Sequence, residues 1–147
     1  VVVQRQVLDV LERLQKDLGL SVILVTHDIS VVAYLCDAVT VMYAGKVVEE
    51  ADVETLFHDP QHPYTIGLMS SMPSLGDRRD RLVTVPGTVP QPDAMPAGCR
   101  FATRCPFRTP VCDNAPPLRD LEDGHAVACF HAPLEADQPA QLRETGT

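Results

Sequence analysis

Thirteen prolines divide this 147-residue chain unevenly: only Pro60 and Pro63 precede residue 73, and the other eleven (13 − 2) follow. Proline lacks a backbone N–H and locks φ, which bars it from helix interiors and from central strands. The first half can therefore consist of regular elements, and the second must be rich in loops. A hydrophobic fraction of 45% is enough for a packed core. The length suits one domain, or a small domain with an appendage. A net charge of −8 argues against a nucleic-acid partner, since phosphate binding calls for a basic patch. No apolar run approaches the length of a membrane-spanning helix, and the N-terminus lacks a signal-peptide layout. The chain starts at Val1 inside a helical pattern, which leads us to expect a fragment.

In "VVVQRQVLDVLERLQKDLGL", Val7, Leu11, Leu14 and Leu18 recur at helical spacing, Leu8 widens the stripe, and charged residues fill the other face. Gly19 is placed to end that helix in the left-handed conformation. Four apolar residues follow, Val22, Ile23, Leu24 and Val25, three of them β-branched. They predict a strand buried on both faces, as in a parallel sheet. A second helical pattern, "ISVVAYLC", comes next, so the fold class expected is α/β. Ligands in open α/β sheets sit beyond the carboxyl ends of the strands. His27 lies at such an end, between Thr26 and Asp28, although a lone histidine is more often structural or simply exposed. Asp28 suits a helix cap. "AVTVMYAGKVVEEA" alternates about Ala44-Gly45 and predicts a hairpin. Asp52 can cap a short helix, and Pro63 can open another.

The run "VILVTHDISVVAYLCDAVTVMYAGKVVEEADVETLF" resembles the switch-histidine region of ABC-transporter ATP-binding subunits. "HDPQHPYTIGLMSSMPS" is similar to the C-terminal extension of subunits serving oligopeptide and dipeptide importers. The resemblance covers residues 1 to about 131, with its motifs in the family's order. It implies a switch histidine at His27, touching the ATP γ-phosphate and helping to hold the attacking water. Phosphoryl transfer asks mainly for positioning and charge stabilisation, which an imidazole can supply. The phosphate loop, the signature motif, the Mg²⁺-binding aspartate and the catalytic glutamate of the family are absent from the chain. The expectation is therefore the last part of a nucleotide-binding domain, unable by itself to bind or hydrolyse ATP.

Residues 81–98 alternate briefly and then turn proline-rich, which predicts a short strand and an extended connection. Cys99, Cys105, Cys112 and Cys129 follow with spacing C-x5-C-x6-C-x16-C; the fifth cysteine, Cys36, reads as a small buried apolar residue. Disulfides would not suit a protein facing the cytosol. Four thiolates can close a zinc site, but the usual C-x2–4-C knuckles are missing. Wider spacing suits an iron–sulfur cluster, though neither common ferredoxin pattern fits. Spacing alone leaves zinc and iron–sulfur open, and isolated thiols remain a third possibility. Few large apolar side chains occur in this stretch, so a metal would add stability that burial cannot. The resemblance favours a [4Fe–4S] cluster on these four cysteines, with zinc as the alternative. His125 and His131 flank the last cysteine and could join a mixed site, or sit outside it. Arg100 and Arg104 could offset the charge of an anionic cluster.

The organisation expected is thus a switch-histidine region over 1–58, a family-specific linker and helix over 59–98, a four-cysteine extension over 99–131, and a mobile tail over 132–147. The fold expected is the C-terminal part of an ABC-type nucleotide-binding domain followed by a small, loop-rich, cysteine-containing extension. By resemblance, the function is that of an ATPase subunit driving import of peptides, or of nickel or other small solutes. Its partners would be permease subunits, a second ATP-binding subunit and, indirectly, an extracytoplasmic solute-binding protein. ATP and Mg²⁺ would be its cofactors, and it would lie at the cytoplasmic face of the cell membrane. The alternative class is a metal-binding regulatory or structural module attached to that ATPase.

Overall fold

The computed structural model describes residues 2–71 and 87–134. The chain divides into two compact units, residues 1–37 and 38–147.

In the first unit, helix α1 (Val2–Leu18) ends as expected: Gly19 takes φ 61°, and Leu20 N donates to Gln15 O at 3.1 Å. That is the six-to-one bond of a Schellman motif, which satisfies a carbonyl the helix leaves open. The apolar stripe is present, but Val7, Leu14 and Leu18 along it are exposed. Residues 20–26 correct the sequence reading. They form no strand, and Ile23 and Val25 are 95% and 94% exposed. A strand exists only through hydrogen bonds to neighbours, and no described residue pairs with this segment. Helix α2 (Ile29–Leu35) follows, with Asp28 as N-cap accepting from Ser30 N at 2.9 Å. Tyr34 Oη ties α2 to α1, donating to Asp9 and Glu12 at 3.3 and 3.4 Å.

The second unit is built on a four-stranded antiparallel sheet. Strands β1 (Ala38–Tyr43) and β2 (Lys46–Asp52) form the expected hairpin. Ala44 and Gly45 both have positive φ, 47° and 75°, as a type I′ turn requires. The register slips between Val41 and Met42: Val41 faces Glu49 while Met42 faces Val47, leaving Val48 as an extra residue. This bulge breaks the strict alternation of faces, so the consecutive residues Val48 and Glu49 are both buried. Asp52 caps helix α3 (Val53–His58), accepting from Thr55 N at 2.8 Å. Helix α4 (Pro63–Ser70) opens on Pro63 with His62 as N-cap.

A second hairpin was not anticipated. Strands β3 (Arg119–Glu122) and β4 (His125–Val127) turn on Asp123 and Gly124, with φ 48° and 80°. β4 also pairs with β2, giving the order β1-β2-β4-β3. The sheet expected from the sequence was parallel; the one among the described residues is antiparallel. Helices and a sheet are both present, as an α/β reading asks.

The core of this unit contains Val41, Tyr43, Val48, Ala51, Leu56 and Phe101, with Tyr64, Leu68, Cys99 and Cys105 against it. Phe101 stands edge-on to Tyr43, ring centroids 5.1 Å apart, and 5.7 Å from Tyr64, a favoured arrangement for aromatic quadrupoles. The core thus draws on the hairpin, on the helix segment and on the cysteine-rich segment together. The short strand expected at the start of 81–98 lies outside the described residues. From Gly87 to Gly98 the chain is irregular apart from a 3₁₀ turn at Pro92–Ala94. Ala132 and Leu134, at the start of the expected tail, are buried; residues 135–147 lie outside the described set. Among the described residues no helix is long and apolar enough to cross a membrane.

Candidate functional site

Thr26, His27 and Asp28 make a tight corner before α2. Asp28 N donates to Thr26 Oγ1 at 3.0 Å, while the Asp28 carboxylate caps the helix. Both neighbours of His27 are thereby committed to the backbone. His27 itself is exposed, and among the described residues its imidazole has no hydrogen-bond partner. A ring presented this way can donate at one nitrogen and accept at the other.

The four clustered cysteines lie in the second unit, and all five cysteines of the chain are free thiols. Cys99 N donates to Cys112 O at 2.9 Å, which locks the first cysteine loop to the 3₁₀ turn at Pro110–Asp113. Gly98 makes that approach possible: a Cβ there would lie 2.4 Å from the Asp113 carbonyl carbon and 2.5 Å from Cys112 O. Burial pushes the Cys105 thiol up to about 12, and the neighbouring Cys129, Cys99 and Cys112 add to the rise. Burial likewise raises Cys99 and Cys129, again with contributions from other cysteines of the set. Side chains spread over 31 positions (129 − 99 + 1) are thus close enough to act on one another. Among the described residues no group of three or more His, Cys, Asp or Glu side chains stands in a metal-ligating arrangement. Cys36 is only partly buried at the end of α2, rather than a core residue.

The flanking residues separate. His131 Nε2 lies 3.7 Å from Cys112 Sγ and 3.1 Å from Thr109 Oγ1, beside the cysteines. His125 is elsewhere: its Nε2 is 2.8 Å from Glu49 Oε1, in the interior. Arg100 Nη1 donates to Ala44 O in the first hairpin turn. Arg104 Nη1 donates to Tyr43 Oη at 3.3 Å, its guanidinium over the Tyr43 and Phe101 rings at 5.8 and 5.9 Å. Both arginines therefore bind the extension to the hairpin.

Sequence reasoning missed one group altogether. Glu49 is fully buried and accepts from Gln61 N at 2.5 Å, His62 N at 3.0 Å and His125 Nε2. Gln61 Oε1 accepts from Leu134 N at 2.5 Å. His62, also buried, accepts from Tyr64 N through Nδ1 at 3.1 Å, and burial lowers its pKa to about 4. The run Pro-Gln-His-Pro-Tyr was recognisable; the carboxylate it folds around was not.

Residues 48–112 match the family model for the oligopeptide/dipeptide transporter, C-terminal region. That stretch is therefore the C-terminal region of the oligopeptide/dipeptide transporter family. It is 44% identical over 129 residues to peptide import ATP-binding proteins of Brucella abortus and Brucella suis, which covers 88% of this chain. It is 43% identical over 137 residues to a peptide import ATP-binding protein of Brucella ovis. The chain spans about two fifths of these relatives' length, 39% and 40%.

Proposed function

We propose that this chain is the C-terminal part of the ATP-hydrolysing subunit of an ABC importer of peptides, working at the cytoplasmic face of the membrane against permease subunits and a second ATP-binding subunit. The observation that carries the proposal is the 44% identity to peptide import ATP-binding proteins, which runs over 88% of the chain. The corner at 26–28 supports it, because it leaves His27 exposed, without a hydrogen-bond partner among the described residues. His27 is the switch histidine, donating to the γ-phosphate of ATP. Mg²⁺ and the remaining phosphate contacts belong to parts of the subunit outside this chain. In the full-length subunit assembled with its permease, His27→Ala should lower ATP hydrolysis about 100-fold, the scale expected for losing one positioned donor. Hydrolysis within a few-fold of wild type would overturn the assignment.

Cys99, Cys105, Cys112 and Cys129 are the ligands of a metal centre in this reading, a [4Fe–4S] cluster ahead of zinc. What supports it is the presence of four free thiols within one segment that has few large apolar residues. Bound there, the metal would cross-link the loops and hold the extension to the sheet. Anaerobically purified full-length subunit should contain about four irons and show broad absorption near ~400 nm. Both should disappear in Cys105→Ser. One zinc without colour would reassign the centre, and neither metal would overturn it.

A further inference from the structure

The strap from His125 to Leu134 carries Cys129 and is anchored at each end to one buried polar cluster. At its start, His125 Nε2 meets the Glu49 carboxylate at 2.8 Å. At its end, Leu134 N donates to Gln61 Oε1 at 2.5 Å. The two anchors are joined, because Gln61 N and His62 N both donate to Glu49. A further contact reaches the first cysteine loop: the His62 ring stands 5.6 Å from that of Phe101, between Cys99 and Cys105.

Backbone pairing of the strap with the sheet is short. β4 pairs with β2 at Glu49↔Val127 and Glu50↔Ala126, and Ala128 N donates to Val48 O at 2.8 Å. Beyond Ala128 the strap relies on the Gln61 anchor, on Arg119 bonds to the Cys129 and Ala132 carbonyls, on the His131 contacts with Thr109 and Cys112, and on apolar packing. A carboxylate with no solvent access is tolerated only when donors replace its water. Glu49 has three such donors: two from the residues immediately before α4, one from the strap. Losing the strap's donor leaves the carboxylate under-solvated and weakens the hold on the other two; loosening the helix start does the reverse.

We propose that Glu49, Gln61 and His62 form a latch that couples the cysteine-bearing strap to the first turn of α4. Opening the strap loosens the helix start, and a displacement of the helix start releases the strap. Such coupling is reciprocal by linkage. It rests on this buried cluster alone, whether or not the cysteines hold a metal, and so goes beyond the transport reading.

Hydrogen exchange followed by mass spectrometry on the full-length subunit tests it, with no need for ATP hydrolysis. Gln61→Ala removes the acceptor for Leu134 while leaving the Glu49 carboxylate in place. It should speed exchange in residues 126–134 about tenfold, the scale of one buried hydrogen bond opened locally. His125→Ala acts from the strap side and should speed exchange across residues 61–66 by a similar factor, with α1 unchanged. If His125→Ala accelerates only the strap while 61–66 exchange as in wild type, there is no coupling and the latch is wrong. If that variant unfolds throughout, Gln61→Ala decides: unchanged strap exchange would equally overturn it.

Discussion

Ile23 and Leu56 are both aliphatic residues in strongly patterned stretches, yet Ile23 is 95% exposed and Leu56 is fully buried. The contrast runs through the two units. In residues 1–37 the apolar faces of α1 and of segment 20–26 stand open, and Val31 is the one hydrophobic residue described as buried. In the second unit, hairpin, short helices and cysteine loops enclose a shared aromatic core. An apolar pattern says that burial is wanted; whether it happens depends on neighbouring elements at the right place. The second unit contains its neighbours, down to a donor set for a buried carboxylate. In the first, the pattern is present and much of it is exposed.

Glu49→Ala should break the second unit most severely. It leaves His125 and two buried amides without their acceptor, and losses of this kind cost about 4 kcal/mol. Urea unfolding followed by tyrosine fluorescence would measure it, and a loss below about 1 kcal/mol would mean that the cluster is bypassed.

His62 sharpens the comparison through pH. Its folded-state pKa, about 4, lies below the ordinary histidine value of 6.5 because the ring is buried. As pH falls below about 6.5, the unfolded chain takes up the proton first, so stability declines and levels off near pH 4. The decline should reach about 2 kcal/mol by pH 5. His62→Asn retains a capping acceptor for Tyr64 N and should flatten that part of the profile. An unchanged slope would place the titrating group elsewhere.

The smallest effect belongs to the first unit. Ile23→Ala in this chain should change stability by less than about 0.5 kcal/mol, as for an exposed site without partners. A change above about 2 kcal/mol, the cost of emptying a core position, would show that residue 23 is covered in solution.

What could be read from the residues was local. The Ala44-Gly45 turn, the caps at Asp28 and Asp52, the stop at Gly19 and the helix opening on Pro63 all formed as expected. Asp123-Gly124 carries the same hairpin signal as Ala44-Gly45, but the strands flanking it are only four and three residues long, too short for a clear alternating pattern. The strand expected at residues 22–25 failed for another reason: its sequence describes a buried environment, not the strands that would create one. The separation of His131 from His125 was not expected. Both histidines flank Cys129 in sequence, but one faces the cysteines and the other faces Glu49.

By itself the sequence determined the turns, the caps and the amphipathic helix, because each rests on φ preferences and hydrogen bonds spanning only a few residues. It also determined the family, through motifs in order. Only the tertiary structure decided that Glu49, and not its neighbour Glu50, would be the fully buried carboxylate. The bulge at Val48 shifts the register by one residue, and facing alternates with every residue along a strand. The partner of Glu49, His125, lies 76 positions away, beyond the reach of any local pattern. Pairings over that distance are set by which backbones the sheet brings side by side, and that is a property of the fold as a whole.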